Sequence, residues 1–229
     1  MPLYEEMLSQ FKDKSSLTTF CARWERDFPQ EKGKGILFVG RVLNGGKANA
    51  NLDINVLYDE NIKGGIEWTE KNMSQSKNQK KYNVNNSAFW RIIKGITQNA
   101  YHIQNNWSSQ IAWTNLYKIS PFEGGNPTRE QEKIQLPYCK AILKAEIEIL
   151  QPQFVIFLTS GKEKEFIWDN FGKTGHSIES KSWGKKGQYT TKLYKVNDMY
   201  FITSYHPQGK PDKEHIKIIS EMIKDKLII

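Results

Sequence analysis

Two short runs restrict the fold of this chain more than any other feature. Ile36-Leu37-Phe38-Val39 and Phe154-Val155-Ile156-Phe157-Leu158 are unbroken apolar runs, the first closed by Gly40 and the second by Thr159-Ser160-Gly161. A strand with one wet face alternates apolar and polar residues, so an unbroken apolar run belongs to a strand buried on both faces, as in a parallel sheet covered by helices. Ile111-Ala112-Trp113-Thr114-Asn115-Leu116 is also strand-like, and Asn197-Asp198 reads as a hairpin turn between Leu193-Tyr194-Lys195-Val196 and Met199-Tyr200-Phe201-Ile202-Thr203-Ser204.

Helical patterns separate these strands. Ser87 is a predicted N-cap ahead of Phe89, Trp90, Ile92, Ile93 and Ile96 on one face. Thr128 with Gln131 forms a capping-box pattern before a helix, or a pair broken at Pro137, that runs to Leu150. Ile216, Ile219, Met222, Ile223 and Leu227 mark a closing helix, and two helices are predicted at the start, one carrying Leu3, Met7, Leu8 and Phe11, the other Phe20, Cys21, Trp24 and Phe28. From Arg41 to Asn86 the chain is polar and without period, a length of irregular chain that usually serves function. The expectation is an α/β fold with residues 1–229 as a single domain. It is a three-layer αβα sandwich around a four-stranded parallel core in the order 2-1-3-4, with an antiparallel neighbour beside the fourth strand.

Composition narrows the partners. With 33 Lys and Arg against 25 Asp and Glu the net charge is +8, which favours polyanions such as nucleic acid. The basic stretch with Lys173, Lys181, Lys185, Lys186, Lys192 and Lys195 reads as a solvated face, phosphate contact being the alternative. Cys21 and Cys139 are the only cysteines and fit buried thiols, so no metal, cofactor or disulfide framework is expected. No apolar run approaches the ~20 residues that span a bilayer. The N-terminus has Glu5 and Glu6 and no leader pattern, so a cytoplasmic protein is expected, with no membrane partner.

In sheets of this kind ligands bind beyond the carboxyl ends of the strands. That rule points to the loop after Val39-Gly40, to Thr114-Asn115, and to Ser204-Tyr205-His206-Pro207. In this order the chain resembles the uracil-DNA glycosylase superfamily, which carries a glycine-containing loop after its first strand, an Asn-bearing second strand and a His-Pro segment after its last. Phe89-Trp90 in NNSAFWRIIKGI and Thr114-Asn115-Leu116 are similar to motifs of the mismatch-specific uracil and thymine branch. Tyr82 stands where that branch places its base-stacking aromatic. The first loop departs from the family: Gly40-Arg41-Val42-Leu43-Asn44-Gly45-Gly46 lacks the proline of Gly-x-Asp-Pro or Gly-x-Asn-Pro and displaces the Asn, the residue that positions the attacking water. Two cysteines cannot ligate the cluster of the iron–sulfur branches.

The resemblance implies a glycosylase that hydrolyses the N-glycosidic bond of uracil or a related damaged or mismatched base in DNA. Asn44 and His206 are the expected catalytic residues, and Gly40, Arg41, Tyr82, Asn115 and Lys210 the expected substrate-binding ones. Their chemistry agrees: an Asn amide offers donor and acceptor to a pyrimidine edge, an aromatic ring stacks on a flipped base, and a neutral His can donate to a departing carbonyl oxygen. Plainer readings stand beside these, with Tyr82 an ordinary loop aromatic, Asn115 a turn cap and His206 structural. A non-catalytic nucleic-acid-binding relative and a small-molecule hydrolase on the same scaffold remain as alternatives. Whether the DNA is single-stranded or mismatched, and the oligomeric state, are left open.

Overall fold

The parity of the apolar runs sorts their side chains onto two faces. The computed structural model of the chain describes residues 2–25, 27–29, 33–44, 65–74, 83–171 and 176–227. In β3 (Ile36–Gly40), Leu37 and Val39 join one buried cluster with Ala112, Val155, Phe157 and Phe201, whereas Ile36 and Phe38 join a second with Ile111, Trp113, Phe154, Ile156 and Ile202. Each buried Val, Leu, Ile or Phe side chain among them contributes about 1.5–3 kcal/mol of transfer free energy, so the sheet is anchored from both sides.

Helices supply the outer layers. On the first face lie α1 (Pro2–Ser9), α4 (Arg129–Leu150) and α5 (Lys164–Phe171), and on the second lie α3 (Ala88–Tyr101) and α6 (Asp212–Lys224). Gly95 lets α3 and α6 approach, since a Cβ there would stand 2.4 Å from Ile216. The caps form at Ser87, whose side chain accepts from the Trp90 amide, and at Thr128, whose capping box with Gln131 is complete. Pro137 does not break α4. Proline and Lys133 four residues earlier are both exposed, so the carbonyl left without its donor turns to water.

The main sheet has seven strands in the order β2-β4-β3-β6-β9-β8-β7, with β2 (Arg23–Trp24) at one edge. β4 (Ile111–Asn115), β3, β6 (Phe154–Leu158) and β9 (Met199–Ser204) pair in parallel. β8 (Tyr189–Val196) and β7 (Glu179–Trp183) continue the sheet antiparallel, with Asn197 in the left-handed region at the β8–β9 turn. A separate pair joins β1 (Leu17–Thr19) to β5 (Ile119–Pro121).

Three expectations are corrected. The second N-terminal helix is replaced by β1 and β2 (Arg23–Trp24), because Phe20 enters one cluster while Cys21 and Phe28 enter the other, which a single helical stripe could not do. The sheet therefore gains an antiparallel edge strand at β2. Within the segment expected to be irregular lies a helix, α2 (Glu67–Ser74), whose first amides, those of Ile66 and Glu67, donate to the Glu25 carboxylate. Its N-terminal cap comes from a distant part of the chain, a partner no local pattern reveals.

Two polar networks cross the core. Lys118, fully buried, donates from Nζ to Thr114 Oγ1 at 2.6 Å and to both carboxylate oxygens of Glu146 at 2.9 and 2.8 Å. All three ammonium protons are thus used, the condition for holding such a charge away from water. On the other side, Trp183 Nε1 donates to Thr191 Oγ1 at 3.0 Å, Thr191 Oγ1 lies 2.7 Å from Ser204 Oγ, and Ser204 Oγ lies 2.9 Å from His215 Nε2. The Trp183 ring stacks on His215 at 4.3 Å. Burial drives the His215 pKa down to about 3, so its imidazole is neutral across the physiological range.

Candidate active site

The parallel strands end on one rim, and their following loops form it. Arg41, Val42 and Asn44 after β3, Thr159, Ser160 and Lys162 after β6, and His206 and Gln208 after β9 line a cleft of about 500 Å³, with Gly125 and Asn126 closing one side. Among the expected site residues, Arg41, Asn44 and His206 are brought together here. Gly40, Asn115 and Lys210 are not among the lining residues, and Tyr82 lies outside the described residues.

Gly40 and Asn115 are cross-strand partners at the ends of β3 and β4. A Cβ on Gly40 would stand 2.4 Å from Asn115 Oδ1 and 3.3 Å from the Phe89 ring, so only glycine lets the amide lie against the strand backbone. Asn115 is 2% exposed, and its Nδ2 has no hydrogen-bond partner among the described residues. An unpaired buried amide donor costs about 1–3 kcal/mol, a cost that a carbonyl acceptor brought to this position would remove. Phe89, half-buried on α3, is the aromatic that the described structure puts beside this pair.

His206 is held from two sides. Its backbone amide donates to Ser160 Oγ at 2.8 Å, and its Nδ1 accepts from the Gln208 amide at 3.3 Å. Because Nδ1 accepts, the ring proton sits on Nε2. Burial, and then the positive charges of Lys210 and Arg41, push the His206 pKa below its ordinary value. The residue is therefore a neutral imidazole with an Nε2–H donor at a cleft, the form suited to meeting a developing oxyanion.

The remaining groups have defined engagements. Asn44 Oδ1 accepts from the Gly125 amide at 2.7 Å, tying the first loop to the loop before α4 and leaving one carbonyl lone pair for a further donor. Arg41 donates from Nη2 to Glu132 at 2.9 Å, and its buried Nε has no partner among the described residues. Lys210 donates to the Gln208 carbonyl at 3.1 Å and stands 5.3 Å over the Tyr189 ring. Thr159 Oγ1 donates to the buried Glu163 carboxyl, whose pKa burial raises.

Sequence reading did not assign roles to Ser160, Lys162 or Gln208. Ser160 has φ 56°, a left-handed conformation uncommon for a side-chain-bearing residue. Its amide and that of Thr159 both reach the Ser204 carbonyl, at 3.1 and 3.3 Å. That turn aims its hydroxyl at the His206 backbone, and the one signal in the sequence was a small polar residue closing an apolar run.

Among the described residues no group of three or more His, Cys, Asp or Glu side chains is arranged to hold a metal ion, and no helix is long and apolar enough to cross a membrane. A sequence model of the uracil DNA glycosylase superfamily matches residues 27–217, a span that takes in every strand of the parallel run and each of its rim loops. The chain belongs to that superfamily. A comparison with curated proteins finds no match.

Proposed function

We propose that residues 1–229 form one DNA glycosylase domain that hydrolyses the N-glycosidic bond of uracil or a related damaged or mismatched base, close to the mismatch-specific uracil and thymine branch. The observation that carries this reading is a neutral His206, its proton on Nε2, at a cleft on the rim where Gly40 and Asn115 meet. The parallel run β4-β3-β6-β9 between helical layers supports the uracil-DNA glycosylase-like sandwich with core order 2-1-3-4.

In this reading the base leaves the helical stack, enters at the cleft and reaches the Gly40–Asn115 pair on the same rim. The free Asn115 amide reads its edge, Gly40 admits it closely, and Arg41 and Lys210 attract the neighbouring phosphates. Tyr82 is the proposed stacking residue. The bond from C1′ to the base nitrogen breaks with its electron pair kept by the base. His206 Nε2–H donates to the base carbonyl oxygen that receives the charge, water bonds through oxygen to C1′, and its proton is carried to the base. Asn44 orients that water through the carbonyl lone pair left by Gly125.

One observation favours a second reading, a nucleic-acid-binding relative without catalysis: no Asp or Glu is among the described residues lining the cleft, so none there can act as a carboxylate base. The test is a glycosylase assay on uracil-containing oligonucleotides, single-stranded and in U·A and U·G duplexes, with free base detected directly. Release of base that His206→Ala slows by about 10²–10³-fold supports catalysis. Tight binding of an abasic analogue without release of any base would favour the binding reading.

A further inference from the structure

The antiparallel end of the sheet reaches the same rim. β8 pairs with β9 through Lys192↔Thr203, so the start of β8 runs beyond Ser204 and lies beside Tyr205 and His206. β7 pairs with β8 through Trp183↔Tyr189, which puts the turn from Gly184 to Gln188 at this end too. The rings of Tyr189 and Tyr205 meet at 5.1 Å, and Lys210, which holds the Gln208 carbonyl at the cleft, stands over Tyr189. The turn is thus continuous with the candidate active site through aromatic and cationic contacts.

Its construction presents charge. Gly184, at φ 78°, leaves no room for a side chain because a Cβ would lie 2.5 Å from the Tyr189 ring. The Gly184 amide donates to Glu214, the Gly187 amide closes on the Gly184 carbonyl, and Lys186 adopts φ 57°. Lys185 and Lys186 are exposed and make no ion pair with another described residue. Glu214 accepts the Gly184 amide at 2.8 Å and so holds the turn in place. Two cations projecting from a tight turn beside two half-buried tyrosines match a strand of nucleic acid, whose phosphates repeat along the backbone and whose bases offer faces for stacking.

Resting on the glycosylase reading of the adjacent cleft, we propose that this turn with Tyr189 and Tyr205 binds the single DNA strand on one side of the extruded nucleotide, Lys185 and Lys186 contacting its phosphates. The surface adds length of grip and direction, because it lies at the antiparallel edge of the sheet beside the cleft.

The test uses the full chain and a labelled single-stranded oligonucleotide bearing one tetrahydrofuran abasic analogue, which cannot be turned over. Binding is measured by anisotropy as salt is raised. Each phosphate contact contributes about 0.7 to the slope of log affinity against log salt for single strands. Lys185→Gln/Lys186→Gln should flatten that slope by about 1.4, which narrows the affinity ratio between roughly 50 and 200 mM salt by about sevenfold. A variant with the same charge change elsewhere, Lys144→Gln/Lys195→Gln, should leave the slope unchanged. An oligonucleotide shortened on the flank that crosses the turn should bind wild type and the turn variant alike, while one shortened on the other flank keeps the difference. Salt-sensitive wild-type binding with an unaltered slope in the turn variant, or equal flattening by the control variant, overturns this inference and leaves the glycosylase reading standing. Wild-type protein that binds no strand at low salt overturns both.

Discussion

Gly40→Ala is the sharpest probe of the proposed base-reading position. The new methyl would lie 2.4 Å from Asn115 Oδ1, whereas a comfortable carbon–oxygen contact is about 3.3 Å or more. Relief requires a displacement of roughly 0.9 Å, and the Phe89 ring at 3.3 Å from the same point closes the alternative direction. Overpacking of this kind costs about 1–3 kcal/mol, and a shift near 1 Å in a positioning group costs on the order of 10²-fold in rate. The variant should therefore lose about 1–3 kcal/mol in urea denaturation while release of uracil from oligonucleotides slows by the larger factor. Stability and rate need separate measurement, since slow base release by a fully folded variant is the specific expectation. A Gly40→Ala protein with wild-type stability, rate and base selectivity would refute the assignment of this glycine to the Asn115 amide.

Other substitutions test neighbouring claims. His206→Ala should slow base release by about 10²–10³-fold, the usual consequence of losing one oxyanion donor, with little change in binding of an abasic strand. Asn115→Ala should lower discrimination between uracil and other bases in competition assays, because water cannot reproduce the paired donor and acceptor. Lys118→Met should destabilise by about 3–5 kcal/mol in denaturant, since Glu146 is left without its partner, and Lys118→Met/Glu146→Leu should recover much of the loss. His215 predicts an acid limb: with its folded pKa near 3 against an ordinary 6.5, the unfolded chain binds the proton first. Its contribution is complete above about pH 6.5 and falls as pH drops toward 3. Denaturant midpoints should decline over that window, and His215→Phe should flatten the decline.

The strands that carry the rim were legible because their sequences leave little freedom. A run such as Phe154-Val155-Ile156-Phe157-Leu158 has no polar position to turn toward water, so its burial on both faces follows from composition alone. The edge strands were not legible. β2 has two residues, and β7, reading Glu179-Ser180-Lys181-Ser182-Trp183, owes its place to pairing with β8. At the rim, the order of Gly40, Asn115 and His206 along the chain located three of its loops, since the family resemblance rests on such order. The turn at Ser160 escaped because its importance is a backbone angle and a bond to His206, neither of which its residue type announces. Asn44 could be named from the loop sequence, but its hold on Gly125 joins positions 81 residues apart.

The chain of side chains from Trp183 through Thr191 and Ser204 to His215 also acts as an alignment key for the sheet. Antiparallel strands can slip past one another, and a slip of one residue turns every side chain to the opposite face. Were β8 to slip against both β9 and β7, Thr191 would leave Ser204, and the Trp183 indole N–H would be buried with no acceptor. Each stranded donor or acceptor costs about 1–3 kcal/mol, so the misaligned pairings are penalised together. Only one alignment keeps all three hydrogen bonds of this chain, and it is the one that carries Tyr189 to Tyr205. The spacing between the Lys185-Lys186 turn and the cleft is thereby measured out by hydrogen bonds buried well beneath both.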